Sequence, residues 1–133
     1  MLIPVFFDEH VHHQASLTAL RKASRKDSYC AAHTLAEIYS SLTRMPGPFR
    51  TTPDEAMLLL QDVKERLAVI ALDEKEYWST LEKCRELGIE GGTVYDALIA
   101  RCAVKAQADV LYTWNLGHFN RLGPEIARRV RTP

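Results

Sequence analysis

The sequence predicts an α/β protein, a three-layer α/β/α sandwich around a parallel sheet. Three observations carry that prediction. Short, wholly apolar segments ("SYCAA", "AVIAL" and "VLYTW") recur between longer amphipathic ones. A strand that is apolar on both sides is one buried on both faces, and parallel strands joined by helical crossovers are buried in this way. The length of 133 residues, 47% hydrophobic and 26% charged, suits one ordinary globular domain.

The elements follow in order. "HHQASLTALRKA" has helical spacing through Ala15, Leu17, Leu20 and Ala23, and "SYCAA" is the first strand. "TLAEIYSSLTRM" sets Leu35, Ile38 and Leu42 along one side of a helix. "MPGPFRT" breaks it, because two prolines and a glycine do not continue a helix. "TPDEAMLLLQDVKERL" begins the next helix with Pro53 near its first position. "AVIAL" at 68–72 is a strand, and "DEKEYWSTLEKCRELG" is a helix stopped by Gly88. After two glycines comes the helix "TVYDALIARCAVKAQA", then the strand "DVLYTW". "NLGHFNRLGP" reads as a loop with at most a short turn, and "EIARRVRTP" fits a helical turn or an edge strand equally. No repeat, low-complexity tract or linker divides the chain, so residues 1–133 are expected to form a single domain.

Composition narrows the function. Seventeen basic residues balance seventeen acidic ones, so the total charge gives no sign of a nucleic-acid partner. No apolar run has the length of a membrane span, and "MLIPVFFDEH" lacks the basic leader and cleavage site of a secretion signal. Three widely spaced cysteines, Cys30, Cys84 and Cys102, form no disulfide framework, which suits a reducing cytoplasm. There is no glycine-rich phosphate loop, nucleophile elbow or zinc motif.

The informative residues are acids. Asp96 shares a helix face with Ile99 and Ala103, an odd place for a carboxylate. Its plain explanation is a capping box, since Thr34-x-x-Glu37, Thr52-x-x-Glu55 and Thr93-x-x-Asp96 all set an acid three residues after a threonine. Two details point elsewhere. Glu37 and Asp96 begin the two most apolar helices, and "VLYTW" runs directly into Asn115, a third oxygen donor at a strand's carboxyl end. Open α/β sheets bind ligands there, and clustered oxygen donors suit magnesium or manganese.

With these residues in view, "HTLAEIYSSLTRMPG", "GGTVYDALIARCAVKAQADVLYTWN" and "NLGHFNRLGP" resemble PIN-domain nucleases, and within them the VapC-type toxins of toxin–antitoxin pairs. The resemblance runs from about Leu2 to Pro124 and is most specific in the order of "TLAE", "YDALIA" and "TWN..HF". It implies an α/β/α fold and a Mg2+- or Mn2+-dependent endoribonuclease. It also implies an RNA substrate, a cognate antitoxin and a homodimer. By the same resemblance Glu37, Asp96 and Asn115 are the catalytic and metal-binding positions, although Asn115 brings no charge where many members carry aspartate.

The front of the chain departs from the family. The resemblance aligns "LIPVFFDEHVHH" with the helix after the family's first strand, so that strand and its aspartate are expected to be missing, through a late start or a true truncation. Weaker metal binding than in an intact relative is then expected. A competing register makes "LIPVFF" the opening strand and Asp8 the replacement acid, but Pro4 suits a helix start better than a central strand. The missing acid and the neutral Asn115 also admit a non-catalytic PIN-like module that binds RNA or protein.

Other residues have plainer readings. His10, His12 and His13 lack the spacing of a zinc site, and His33 and His118 are read first as partly buried, hydrogen-bonded histidines and second as cleft-lining contacts to a phosphate. Arg121, Arg128, Arg129 and Arg131 are read first as a solvated face and second as an RNA-backbone contact. Tyr39, Tyr95 and Trp114 are core candidates before they are base-stacking ones.

Overall fold

A computed structural model describes residues 1–47 and 50–133. The chain divides into two compact units, Met1–Val69 and Ile70–Pro133.

The first unit opens with a 3-10 turn, Ile3–Phe6, with Pro4 buried in it. Proline's fixed φ suits such a turn, and "LIPVFF" is therefore not a strand. Asp8 follows it with a side chain 94% exposed, its carboxylate 3.5 Å from His13 Nε2. Helix α1 (His13–Lys22), strand β1 (Tyr29–Ala31), helix α2 (Ala32–Arg44) and helix α3 (Pro53–Arg66) come next. Helix α3 begins at a full capping box: Thr52 accepts from the Glu55 amide, and Glu55 accepts from the Thr52 amide at 2.8 Å. Leu20, Ile38, Leu42, Ala56, Leu60 and Val63 fill this unit's core. The expected break after α2 is present at Met45, its C-cap, and at Gly47, whose φ of +63° suits glycine. Pro48 and Phe49 of that segment lie outside the described residues.

Strand β2 (Ala68–Ile70) pairs with β1 and spans the division. In the second unit α4 (Glu74–Glu86) starts at another capping box, Asp73 with Glu76. It ends one residue before the expected stop: Leu87 is the C-cap and Gly88 follows with φ +62°. There Ile89 N–H donates to Cys84 O and Gly88 N–H to Arg85 O, the paired bonds of a Schellman ending. Helix α5 (Thr93–Lys105) leads to strand β3 (Leu111–Tyr112). "NLGHFNRLGP" is more ordered than expected, since Leu116–Asn120 forms helix α6. The tail holds both of its alternatives, helix α7 (Pro124–Ala127) and then strand β4 (Val130–Arg131), which runs parallel to β3. Ala97, Ala100, Leu111, Phe119, Ile126 and Val130 fill the core.

The α/β class is thus as expected, with helices between short strands and a parallel pair. Among the described residues no helix is long and apolar enough to cross a membrane.

Candidate functional site

Strand β3 is held to β4 by Leu111 N–H on Arg129 O and Thr113 N–H on Arg131 O. At its carboxyl end the buried Thr113 accepts from the Asn115 amide through Oγ1 at 3.0 Å. That bond turns the chain out of the strand and fixes where Asn115 stands. Helix α6 follows at once and carries His118.

Asp96 reaches the same point from α5. Its Oδ2 lies 3.3 Å from Asn115 Nδ2 and 2.8 Å from His118 Nδ1. The carboxylate is 19% exposed and the imidazole 45%. The helix-facing position of Asp96 is thereby explained, because the acid turns inward to meet polar partners at the end of a strand.

The capping-box reading of Asp96 and Glu37 is overturned. The N-cap of α5 is Gly92, which places Thr93 first and Asp96 fourth in the helix. The N-cap of α2 is Ala31, so Thr34 is already the third helical residue and Glu37 the sixth. In both helices the acid lies beyond the cap, and neither N-cap has a side-chain bond. Only Thr52–Glu55, of the three matching patterns, is a box.

Of the expected site residues, Asp96 and Asn115 are brought together. Glu37 lies in the first unit, half-buried, with Oε1 4.0 Å from His33 Nε2. His118 is the residue that sequence reasoning underrated. Its signal was its place three residues after Asn115, one helical turn from a strand's end.

The carboxylate and an amide able to present oxygen suit a hard divalent cation, and the imidazole adds a nitrogen donor of the kind transition metals take. Among the described residues no group of three His, Cys, Asp or Glu side chains is placed to hold a metal ion. The Asp96 cluster reaches three donors through the Asn115 amide.

Other chemistry is disfavoured. All three cysteines are free and buried, and burial pushes the Cys84 and Cys102 thiols up, away from the reactive thiolate. His13 is buried with Nδ1 3.0 Å from Pro4 O, a structural role. Two of the four tail arginines have partners inside the fold. Arg129 donates to Ala108 O at 3.1 Å, and Arg131 donates to Arg128 O at 3.0 Å and to Val130 O at 2.6 Å.

Comparison with known proteins adds family information. A family model described as the PIN domain matches residues 1–123. Ribonuclease VapC40 of Mycobacterium tuberculosis is 32% identical over 111 residues, which are 84% of this chain and 79% of that protein. Ribonuclease VapC27 of the same organism is 36% identical over 109 residues, 81% of this chain and 75% of that protein.

Proposed function

The chain belongs to the PIN-domain family, and on that premise we propose that it is a divalent-metal-dependent endoribonuclease of the VapC type, cleaving RNA phosphodiester bonds. The observation that carries the proposal is the convergence of Asp96 and Asn115 at the carboxyl end of β3. Both curated relatives are ribonucleases by name.

Glu37, Asp96 and Asn115 are the proposed catalytic and metal-holding residues of one PIN-like domain. A bound Mg2+ or Mn2+ supplies a polarised water and neutralises charge on the phosphate. The chain's own residues do the rest. Thr113 fixes the backbone of Asn115, and the Asp96 carboxylate stands beside Asn115 and His118, so the donors are pre-aligned. The proposal extends to a cognate antitoxin, a homodimer and a cytoplasmic location, as the resemblance of the sequence to VapC-type toxins implies.

The test is cleavage of a fluorescent RNA by the purified chain with Mn2+. Wild type is expected to cleave, and Asp96→Asn and Glu37→Gln to abolish cleavage. Undiminished metal-dependent cleavage by either variant removes that residue from the site. A second reading is favoured by the uncharged Asn115: a PIN-like module that binds RNA or protein without cutting. It predicts RNA retention in a gel-shift with no product at any Mn2+ concentration.

A further inference from the structure

The three polar groups at the end of β3 stand too close for their hydrogen-bonding roles. Asn115 Nδ2 and His118 Nδ1 are 2.6 Å apart, His118 Nδ1 and Asp96 Oδ2 are 2.8 Å apart, and Asn115 Nδ2 and Asp96 Oδ2 are 3.3 Å apart. A carboxylate only accepts. If Nδ1 carries the proton and donates to Asp96, it meets an N–H of Asn115 head-on. If Nδ1 is bare and accepts from Asn115, its lone pair faces a carboxylate oxygen. Turning the Asn115 amide over presents Oδ1 at the same point, and two oxygens and a nitrogen then share a single proton. With Asp96 ionised, no arrangement of protons gives every short contact its own hydrogen.

Three polar atoms this close together, with the Asn115 amide turned to present Oδ1, are a set that a cation can bridge. In an octahedral sphere with bonds of about 2.1 Å, neighbouring ligand atoms are separated by about 3 Å. The three separations in this cluster bracket that length. We propose that His118 is itself a metal ligand, and that its Nδ1 would hold the ion together with Asp96 and the Asn115 amide oxygen. The imidazole biases this site toward Mn2+ over Mg2+, because Mg2+ prefers oxygen donors while imidazole binds transition metals well. The inference rests on the reading of Asp96 as a metal ligand, and adds a nitrogen donor and a metal preference.

The experiment is pulsed EPR and calorimetry on the full chain loaded with Mn2+, with Mg2+ titrated in parallel. Wild type is expected to show nitrogen coupling to Mn2+. His118→Ala should lose it, and its Mn2+ affinity should fall about tenfold or more, while Mg2+ affinity changes far less. His33→Ala should keep the coupling, which separates the two imidazoles. His118→Asp converts the donors to oxygen alone. It should bind Mn2+ without nitrogen coupling and discriminate less between the two metals.

Mn2+ bound without nitrogen coupling, with affinity lost in Asp96→Ala but unchanged in His118→Ala, overturns this proposal and leaves the nuclease reading standing. No Mn2+ binding to wild type, or binding indifferent to Asp96→Ala, overturns both.

Discussion

At the scale of single residues, one backbone position is held against its preference. Gln107 has φ +54°, the left-handed conformation that costs a side-chain-bearing residue about 1–2 kcal/mol. It is there because α5 needs an ending. Ala106 is the C-cap, Gln107 N–H donates to Val104 O, and Ala108 N–H donates to Ala103 O. These are the bonds that Gly88 makes possible after α4, here made around a glutamine. Gln107→Gly relieves the conformational cost but gives the unfolded chain more freedom, which offsets part of the gain. The expected net effect is stabilisation of about 0.5 kcal/mol, a rise of about 2 °C in melting temperature. Differential scanning calorimetry measures it, and a lower melting temperature for the glycine variant contradicts the account.

At the scale of elements, Glu76 ties two helices together. Its Oε2 accepts from the Asp73 amide at the start of α4 and lies 2.6 Å from Lys105 Nζ at the end of α5. Lys105 also donates to Ala71 O at 2.9 Å, just after β2. The Lys105 bond, first, and the Asp73 amide hold the Glu76 carboxyl below the usual carboxylate range. A group with a lowered folded pKa contributes stability that is full above its unfolded pKa and lost as pH falls through the folded one. Urea melts from about pH 5 down to about pH 2 should therefore show wild type losing more stability than Glu76→Gln. Equal slopes in that acid window contradict the link. Elements of this kind were legible in the sequence where local chemistry decided them: Pro53 and Thr52 marked α3, and Gly88 marked the end of α4. The starts of α2 and α5 were not legible. Strand β1 runs into α2 with no linker, so Ala31 both ends the strand and caps the helix. Gly91, with φ +59°, and Gly92 start α5 before Thr93 can cap it. Threonine three residues before an acid looks the same in all three cases, and only the preceding backbone decides whether it is a box. Strand β4 was ambiguous for a different reason. Two residues carry no periodicity, and the pairing with β3 is a contact distant in sequence.

At the scale of the whole chain, net charge supplies no attraction for RNA. Seventeen basic and seventeen acidic residues cancel, so RNA is not drawn to the protein by net charge. The basic tail does little to change this. Arg129 is tied to Ala108 O and lies 3.5 Å from Glu125, and Arg131 donates to backbone carbonyls, whereas the exposed Arg121 and Arg128 have no such ties among the described residues. On the proposed function, the cluster that makes Asp96 a candidate metal ligand also places negative charge where a phosphate would bind. Affinity for RNA should accordingly depend on the divalent cation and on few ionic contacts with phosphates. Each phosphate neutralised on a single strand contributes about −0.7 to the slope of log affinity against log salt. The expected slope is no steeper than about −2, equivalent to two or three phosphates. Fluorescence anisotropy with a labelled single-stranded RNA measures it, using the Asp96→Asn variant, which the proposed function expects not to cleave, over about 50–200 mM salt. A slope near about −5 means an extended basic track holds the RNA. The tail arginines would then have to leave their carbonyls to form it. A shallow slope, together with tighter binding by wild type than by Asp96→Asn when Mn2+ is added in the cold, before cleavage proceeds, places the hold on RNA at the acid cluster.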